Sequence, residues 1–227
     1  LVIDRKDDPY TRGFVAWRVR PGRPVDASGT TEALRIAKGL WYGARRFDIT
    51  DDRALALQIV DGYRRHAYID QGTWLVRNYF NFQTRSFAND SYLVDYDPDL
   101  IREMAQATGE PALKELAERS YAAVRSAISP VGLLHTLIQP DLRTIMPDAP
   151  VTVFSPNDII QINNACTVAE TVLHGDAQAA HRFLDFVVSK GRGLKRSYYG
   201  RTGEPVDDTR SDSTAWSCLV RLAAHLK

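Results

Sequence analysis

The sequence has no apolar run long enough to span a bilayer, no excess of charge of either sign, and no cluster of histidine and cysteine. Lysine and arginine total 29 and aspartate and glutamate 28. This balance provides no field that would attract nucleic acid or an anionic membrane surface. The five histidines are scattered and there are two cysteines, so the usual spacing of a zinc site is missing. We expect no nucleic-acid partner and no metal, and a neutral or weakly charged substrate.

Signatures of several common enzyme classes are absent as well. There is no nucleophile elbow, and no glycine-rich loop opens a helix where it could cradle phosphate. We therefore expect no cofactor. The printed residues include no signal peptide. Cys166 and Cys218 both lie in predicted helices, where each is either a small buried apolar residue or, if the two helices touch, half of a disulfide.

Apolar residues recur at helical spacing along most of the chain, and little of it reads as strand. Its 227 residues fit one domain with a substantial core. The predicted helices cover about 30–46, 50–68, 97–107, 112–128, 158–174, 176–190 and 214–226. The expected all-α architecture is a toroid of antiparallel helix pairs, complete or lacking helices at its N-terminal end, and a simple helical bundle is the alternative. No repeat of fixed length indicates a tetratricopeptide or ankyrin array.

The start of the first predicted helix concentrates hydroxyls and carboxylates. Ser28 or Thr30 is expected to cap the helix by accepting a hydrogen bond from a free backbone N–H. Glu32, in the first turn, meets the positive end of the helix dipole. Capping alone is one interpretation of this stretch. The other is a functional site that includes Trp17 upstream and Asp158, which lies at another predicted helix start.

A glycosidase needs one carboxylic acid to protonate the leaving oxygen and a second carboxylate to activate water or attack carbon. Asp26, Glu32 and Asp158 all lie at predicted helix starts, where a rigid element holds a side chain that the loop side leaves accessible. Between residues 69 and 97 the helical period is lost and aromatic and amide side chains crowd together. Such a segment suits stacking on sugars and binding of hydroxyls, so we expect it to line a groove. The candidate substrate-binding residues are Trp17, Trp74, Tyr79, Tyr92, Asn157, Gln161 and Asn163.

Five motifs, in order, resemble those of the family 8 glycoside hydrolases. They are Phe14-Val15-Ala16-Trp17-Arg18, Ala27-Ser28-Gly29-Thr30-Thr31-Glu32, Asn89-Asp90-Ser91-Tyr92, Pro140-Asp141-Leu142 and Asn157-Asp158-Ile159-Ile160-Gln161. The resemblance implies an inverting hydrolase on an (α/α)6 barrel that cuts β-linked polysaccharides such as glucan, cellulose, xylan or chitosan. The family includes the cellulases of bacterial exopolysaccharide clusters. It also implies that Asp158 is the base that activates water, and that Asp26 or Glu32 holds the distorted sugar.

The glutamate of Ser-Glu-Gly that serves as the family's general acid has no match in the printed residues. Either it lies on helices upstream of Leu1, or Glu32 or Asp26 supplies the proton, or the chain is not a hydrolase. In the first two cases, closure of the toroid is expected to bring Asp158 into one cleft with Asp26 and Glu32. Asn157 or Asn163 would then hydrogen-bond Asp158.

Two other function classes remain open. A polysaccharide lyase or sugar epimerase on the same toroid would use a histidine or tyrosine as base, beside an arginine or asparagine that binds a carboxylate. His135 is the histidine near a predicted loop, but its apolar neighbours favour a core position. A helical interaction module without catalysis is the third class, and it predicts polar loops that share no cleft. For a polysaccharide hydrolase we expect a secreted or cell-envelope location.

Overall fold

A computed structural model describes residues 8, 11–18, 20–23, 25–66, 76–88, 90–138, 158–207 and 211–226. Within these ranges the α-helices are α1 (Thr30–Phe47), α2 (Thr50–His66), α3 (Pro98–Thr108), α4 (Pro111–Ser126), α5 (Ile162–Glu170), α6 (Ala177–Lys190) and α7 (Ser213–His225). The strands are β1 (Ala27–Gly29), β2 (Tyr79–Asn81), β3 (Ser86–Phe87), β4 (Ser91–Tyr92), β5 (Leu137–Ile138), β6 (Ile159–Gln161) and β7 (Ser197–Tyr199). None of the described helices is long and apolar enough to cross a membrane.

The helices pack as successive hairpins. α1 packs on α2, α3 on α4 and α5 on α6, while α7 lies against α5. The turn after α1 begins at Asp48, whose φ is 56°, and the turn after α3 begins at Gly109, whose φ is 71°. A residue in this left-handed region ends a helix and lets the chain reverse within two residues. Short connections of this kind make neighbouring helices antiparallel, so the predicted α/α toroid of helix pairs is confirmed.

Short antiparallel strand pairs lie where α1, α3 and α5 begin. β1 pairs with β2 and β2 with β3, β4 pairs with β5, and β6 pairs with β7. Two backbone hydrogen bonds connect the first sheet to the β4–β5 pair, from Thr30 to Asn78 at 3.0 Å and from Asn78 to Asp90 at 3.1 Å. The β6–β7 pair meets this series through a side-chain contact: Nε2 of His135, just before β5, lies 3.8 Å from Oδ1 of Asp158, just before β6. We call the strands from β1 to β7 together the strand rim.

A buried serine and a buried tyrosine anchor the rim in the same way at two places. The Ser28 hydroxyl donates to the carbonyl oxygen of Val15 at 2.6 Å, and the Tyr63 hydroxyl, which contacts Ser28, accepts from the Val15 N–H at 3.3 Å. The second set consists of Ser91, Val76 and Tyr96, with the corresponding distances of 2.6 Å and 2.9 Å and a Ser91–Tyr96 distance of 2.7 Å. Each serine–tyrosine clamp thus satisfies both buried backbone groups of one valine.

The first clamp positions the segment that carries Trp17. Phe14 stacks on Tyr63 with ring centroids 4.8 Å apart and meets Phe80 edge-on at 5.4 Å. Gly13, with φ of 88°, crosses α2 so closely that a Cβ on Gly62 would lie 2.6 Å from the Arg12 carbonyl oxygen. The segment therefore lies flat on α2, and Trp17 follows directly at the rim.

Several local predictions were wrong. Ser28 and Thr30 do not cap α1: its N-cap is Gly29, which makes no side-chain cap bond. Ser28 belongs to the clamp, and the Thr30 hydroxyl donates to the Arg77 carbonyl oxygen at 2.6 Å, because buried backbone there needs donors. α5 begins at Ile162, so Asp158 precedes strand β6 and not a helix. By contrast, the aspartates at 97, 176 and 212 do cap helices, since their side chains accept hydrogen bonds from backbone N–H groups in the first turns of α3, α6 and α7.

Cys166 on α5 and Cys218 on α7 form a disulfide. Both side chains are buried, and the two helices pack directly against each other. Of the two roles that the sequence left open, the cross-link is therefore the one observed. It ties the last described helix to the preceding hairpin.

Replacing Ser91 by alanine should show how much a clamp contributes to the free energy of unfolding. The substitution leaves the Val76 carbonyl buried without its donor, so the free energy of unfolding should fall by about 1–3 kcal/mol. Ser86→Ala is the matched control, because Ser86 is exposed on β3 and its loss should change stability by less than about 0.5 kcal/mol. Urea unfolding measures the stability of both variants. Equal stabilities of Ser91→Ala and Ser86→Ala would contradict a stabilising role of the clamp.

Removing the disulfide should also destabilise the fold. The bond spans 52 residues of sequence, and cross-linking a loop of that length is worth about 2–4 kcal/mol in restricting the unfolded chain. The Cys166→Ala/Cys218→Ala variant should therefore unfold at lower urea concentration than the oxidised protein. Wild-type protein in reducing buffer is the control and should approach the variant, whereas no difference between oxidised and reduced protein would refute the cross-link.

Candidate functional site

Trp17, Arg18 and Asp26 form one hydrogen-bonded group at the start of the rim. The Trp17 indole N–H donates to Asp26 Oδ1 at 2.8 Å, and the Arg18 guanidinium donates to Oδ2 at 3.0 and 2.5 Å. The guanidinium also lies 4.5 Å from the centre of the Trp17 ring. The bonds from Arg18, and then the bond from Trp17, lower the pKa of Asp26 to about 2. Asp26 is therefore an ionised acceptor at neutral pH.

Glu32 lies beside this group, in the first turn of α1. Its carboxylate rests against the backbone of Gly29, where any Cβ would overlap it and would come within 3.6 Å of Trp17 Cβ. A side chain at position 29 would therefore push the Glu32 carboxylate out of this place. Trp17, Asp26 and Glu32 lie next to one another at the start of the rim, and we call these three residues the first carboxylate group.

Asp158 lies at the other end of the strand rim, just before β6. Its φ of 53° is in the left-handed region, which is uncommon for a residue other than glycine and marks a position held by its surroundings. The Arg201 N–H donates to Asp158 Oδ2 at 3.0 Å, and the Gly200 N–H donates to the Asp158 carbonyl oxygen at 2.8 Å. About a quarter of the side chain remains exposed.

His135 is the neighbour of Asp158 that the sequence did not indicate. Its Nε2 is 3.8 Å from Asp158 Oδ1, and the imidazole is buried. Burial lowers the pKa of His135; the negative charge of Asp158 opposes this shift and the positive charge of Arg201 adds to it. The core position predicted for His135 is confirmed, but its ring also forms one wall of the Asp158 site.

The rim connects the two carboxylate positions. Between them lie the Asn78 amide, which donates to Asp90 Oδ2 at 3.3 Å, and Tyr92 on β4, which is half-buried against the core. Backbone hydrogen bonds connect the segment of the first carboxylate group to those of Asn78 and Tyr92, and the contact between His135 and Asp158 joins Asp158 to the far end of this series. That both act on one substrate stays a prediction.

The other predicted binding residues are distributed along the same edge. Tyr79 on β2 is exposed, as is Trp17, and Gln161 on β6 is exposed and accepts a bond from Asn164 at 3.4 Å. Asn163 lines a groove of about 560 Å³ between α1, α5 and α7 and does not supply the donor that we expected for Asp158, which is the Arg201 N–H instead. Trp74 and Asn157 lie outside the described residues, as do Asn89 and the segment 140–142.

The described part of the chain contains no group of three or more histidine, cysteine, aspartate or glutamate side chains that could hold a metal ion. What the rim presents is two carboxylate positions in different surroundings. Asp26 is ion-paired, and Asp158 is held by backbone N–H groups. Both side chains remain partly exposed, so each could contact a polar ligand.

The pKa of Asp26 should respond to its two donors in the order of their effects. Arg18→Gln should raise it towards the ordinary aspartate value, and Trp17→Phe should raise it by a smaller amount, because the Arg18 bonds contribute more. Arg20→Gln is the control, since Arg20 is exposed nearby and should leave the pKa unchanged. Carbon-detected NMR titration of the Asp26 carboxyl measures all three, and an unperturbed value in the wild type would contradict the geometry.

Comparison with known proteins gives structural matches alone. No protein-family model and no curated protein matches the chain. Among solved structures, an alpha-amylase from Clostridium perfringens matches with a TM-score of 0.76 and 16% identity, over 94% of this chain and 60% of that one. A beta-1,3-1,4-glucanase from Paenibacillus sp. X4 matches with a TM-score of 0.72 and 14% identity, over 95% of this chain and 62% of that one.

A third match is the endo-beta-1,4-glucanase CMCax from Acetobacter xylinum, with a TM-score of 0.69 and 16% identity, over 93% of this chain and 76% of that one. The chain thus spans about three fifths of the length of the first two structures. At these identities the likeness concerns the fold. The chain has the helical toroid architecture that these enzymes share.

Proposed function

We propose that this chain carries the catalytic rim of a glycoside hydrolase that cleaves a β-linked polysaccharide by an inverting mechanism. The observation that supports this proposal most is Asp158: a partly exposed carboxylate, held in a left-handed backbone conformation on the rim of the toroid. Two of the three structures named above are β-glucanases by name, and the motif around Asp158 is similar to that of the family 8 base. The β-linkage is inferred from these two points.

In this proposal Asp158 activates the attacking water. A general base must be fixed within hydrogen-bond reach of the water and must remain accessible. The Arg201 N–H occupies one side of the carboxylate, which fixes its orientation and leaves the other lone pairs for a water. In an inverting enzyme the acid lies about 6.5–9.5 Å from the base, so that the water fits between the base and the sugar.

The two members of the first carboxylate group receive different roles. Asp26 has a pKa of about 2, so it cannot hold a proton to donate near neutral pH. We assign it to accepting hydrogen bonds from sugar hydroxyls. Glu32 is the proton donor within this chain, or a second sugar ligand if an acid from outside the printed residues protonates the leaving group.

Aromatic rings on the same edge provide the surface for the sugar. Trp17 and Tyr79 are 45% and 43% exposed, so their ring faces are accessible for stacking on a sugar. Arg18 covers one face of the Trp17 ring, so a sugar would stack on the other face. An oligosaccharide lying along the rim would then run from Trp17 towards Asp158.

The alternative lyase or epimerase reaction would need a base that reaches the substrate. His135, the described histidine that lies beside Asp158, is only 4% exposed, which disfavours a histidine as that base. The disulfide between α5 and α7 supports a secreted or cell-envelope location, because such bonds persist in oxidising compartments. We propose that location for the protein.

Asp158→Asn should abolish hydrolysis while the protein stays folded and still binds glycan. Loss of a general base typically costs about 10²–10⁴-fold in rate, because asparagine cannot take the proton from water. The control is Asp185→Asn, an exposed aspartate on α6, which should keep full activity. The substrates are soluble β-glucans, xylan, chitosan and starch, with release of reducing ends as the readout.

The same panel tests the mechanism. NMR of the first product should show the anomer opposite to that of the substrate if the enzyme inverts. Equal activity of wild type and Asp158→Asn would remove Asp158 from the mechanism. A wild type that binds glycans and hydrolyses none of them would favour the interaction module.

A further inference from the structure

Asp158 is enclosed by two residues from distant parts of the chain. His135 precedes β5, and Gly200 follows β7. A Cβ built on Gly200 would lie 2.6 Å from His135 Cε1, 2.8 Å from Asp158 Oδ1 and 2.9 Å from His135 Nε2. Real Cβ atoms do not approach other atoms this closely, so any side chain at position 200 would displace the imidazole, the carboxylate or both.

Gly200 is therefore required for space and not for backbone conformation. Its φ is not in the left-handed region that favours glycine, whereas that of Gly203 in the same turn is, at 70°. The β6–β7 pairing opposes Ile159 to Tyr199, which brings Gly200 directly over Asp158. The turn at residue 200 thus lies directly against the Asp158 carboxylate.

We propose that His135 and Gly200 are positioning residues for Asp158, which together fix its carboxylate in the one orientation that presents it to the attacking water. This inference rests on the proposed role of Asp158 as the base. Neither residue need touch the substrate. His135 is buried, and Gly200 contributes by leaving the space that the imidazole and the carboxylate occupy.

Hydrogen bonds fix the backbone that carries the buried imidazole. The His135 backbone N–H donates to the Ala127 carbonyl oxygen at 3.0 Å, and the Thr136 carbonyl oxygen accepts from the Leu93 backbone N–H at 2.7 Å. The 3.8 Å between Nε2 and Oδ1 is too long for a direct hydrogen bond. The ring therefore limits where Oδ1 can move, while the Arg201 N–H holds Oδ2.

The His135 ring is uncharged, which suits its position beside the Asp158 carboxylate. Burial and Arg201 lower its pKa while Asp158 raises it, with burial the largest effect, so the ring is neutral at pH 7. A charged imidazolium at this distance would pair with Asp158 and weaken it as a base. A neutral ring fixes the carboxylate without doing so.

The test compares the hydrolysis rates of Gly200→Ala and Gly193→Ala. The substrate is the polysaccharide of the panel above that the wild type hydrolyses fastest. A Cβ at Gly193 meets nothing within 4 Å, so that variant controls for the glycine-to-alanine change. Displacing a catalytic group by about 1 Å can cost about 10²-fold in rate. We expect Gly200→Ala to lower kcat by about 10- to 100-fold with little change in KM, and Gly193→Ala to match wild type.

A second pair of variants keeps the test valid if Gly200→Ala does not fold. His135→Gln keeps a neutral side chain that fills most of the space beside Oδ1, and His135→Ala removes that wall. A positioning role predicts that His135→Gln keeps more of the wild-type kcat than His135→Ala, at equal KM. A purely structural role predicts instead that kcat, glycan binding and melting temperature fall together in both.

The outcomes separate this inference from the proposed function. If Asp158→Asn is inactive while the Gly200 and His135 variants retain wild-type kcat, the positioning role is wrong and the base assignment stands. If Asp158→Asn is as active as wild type, or wild type hydrolyses nothing in the panel, the base assignment and this inference both fail. A selective fall in kcat in Gly200→Ala, or in His135→Ala relative to His135→Gln, supports the inference.

Discussion

Backbone groups buried at the helix starts must find partners inside the protein, and this requirement organises the described structure. Val15 and Val76 each bury an N–H and a carbonyl where no continuous sheet is available. In both places a serine hydroxyl and a tyrosine hydroxyl satisfy the pair. Leaving such groups unpaired would cost about 1–3 kcal/mol each. The two clamps therefore fix the edge segments on which the rest of the rim is built.

The same geometry recurs around the two clamps. Trp17 N–H donates to the Ala27 carbonyl oxygen at 3.2 Å, and Asn78 N–H donates to the Asp90 carbonyl oxygen at 3.1 Å. Each clamp valine thus lies two residues before the residue whose N–H donates this bond, Trp17 or Asn78. Each clamp serine directly follows the residue whose carbonyl oxygen accepts it. The toroid repeats this local structure although the sequence shows no repeat of fixed length, because the tyrosines come from unrelated positions.

The helices could be predicted from the sequence, since their apolar period extends over several turns and aspartates mark three of their starts. The strands could not, because each has two or three residues and is stabilised by pairing with distant segments. For the same reason Asp158 was assigned to a helix start: the motif around it is polar and precedes a real helix, but β7 pairs with the intervening residues. The contacts of His135 and Gly200 with Asp158 could not be predicted, because they exist only after three separate parts of the chain are folded together.

The disulfide bears on how the protein survives in its surroundings. α7 packs on α5, and Trp216 and Val220 on its outer side are exposed, so apolar contacts hold it on one side. Helices attached in this way tend to open locally, well below the free energy of global unfolding, and local opening is what a protease exploits. A covalent link from Cys218 to the buried Cys166 keeps an opened α7 close to its site, so that it closes again quickly. In a medium that contains proteases, the cross-link would lengthen the lifetime of the protein more than its contribution to equilibrium stability suggests.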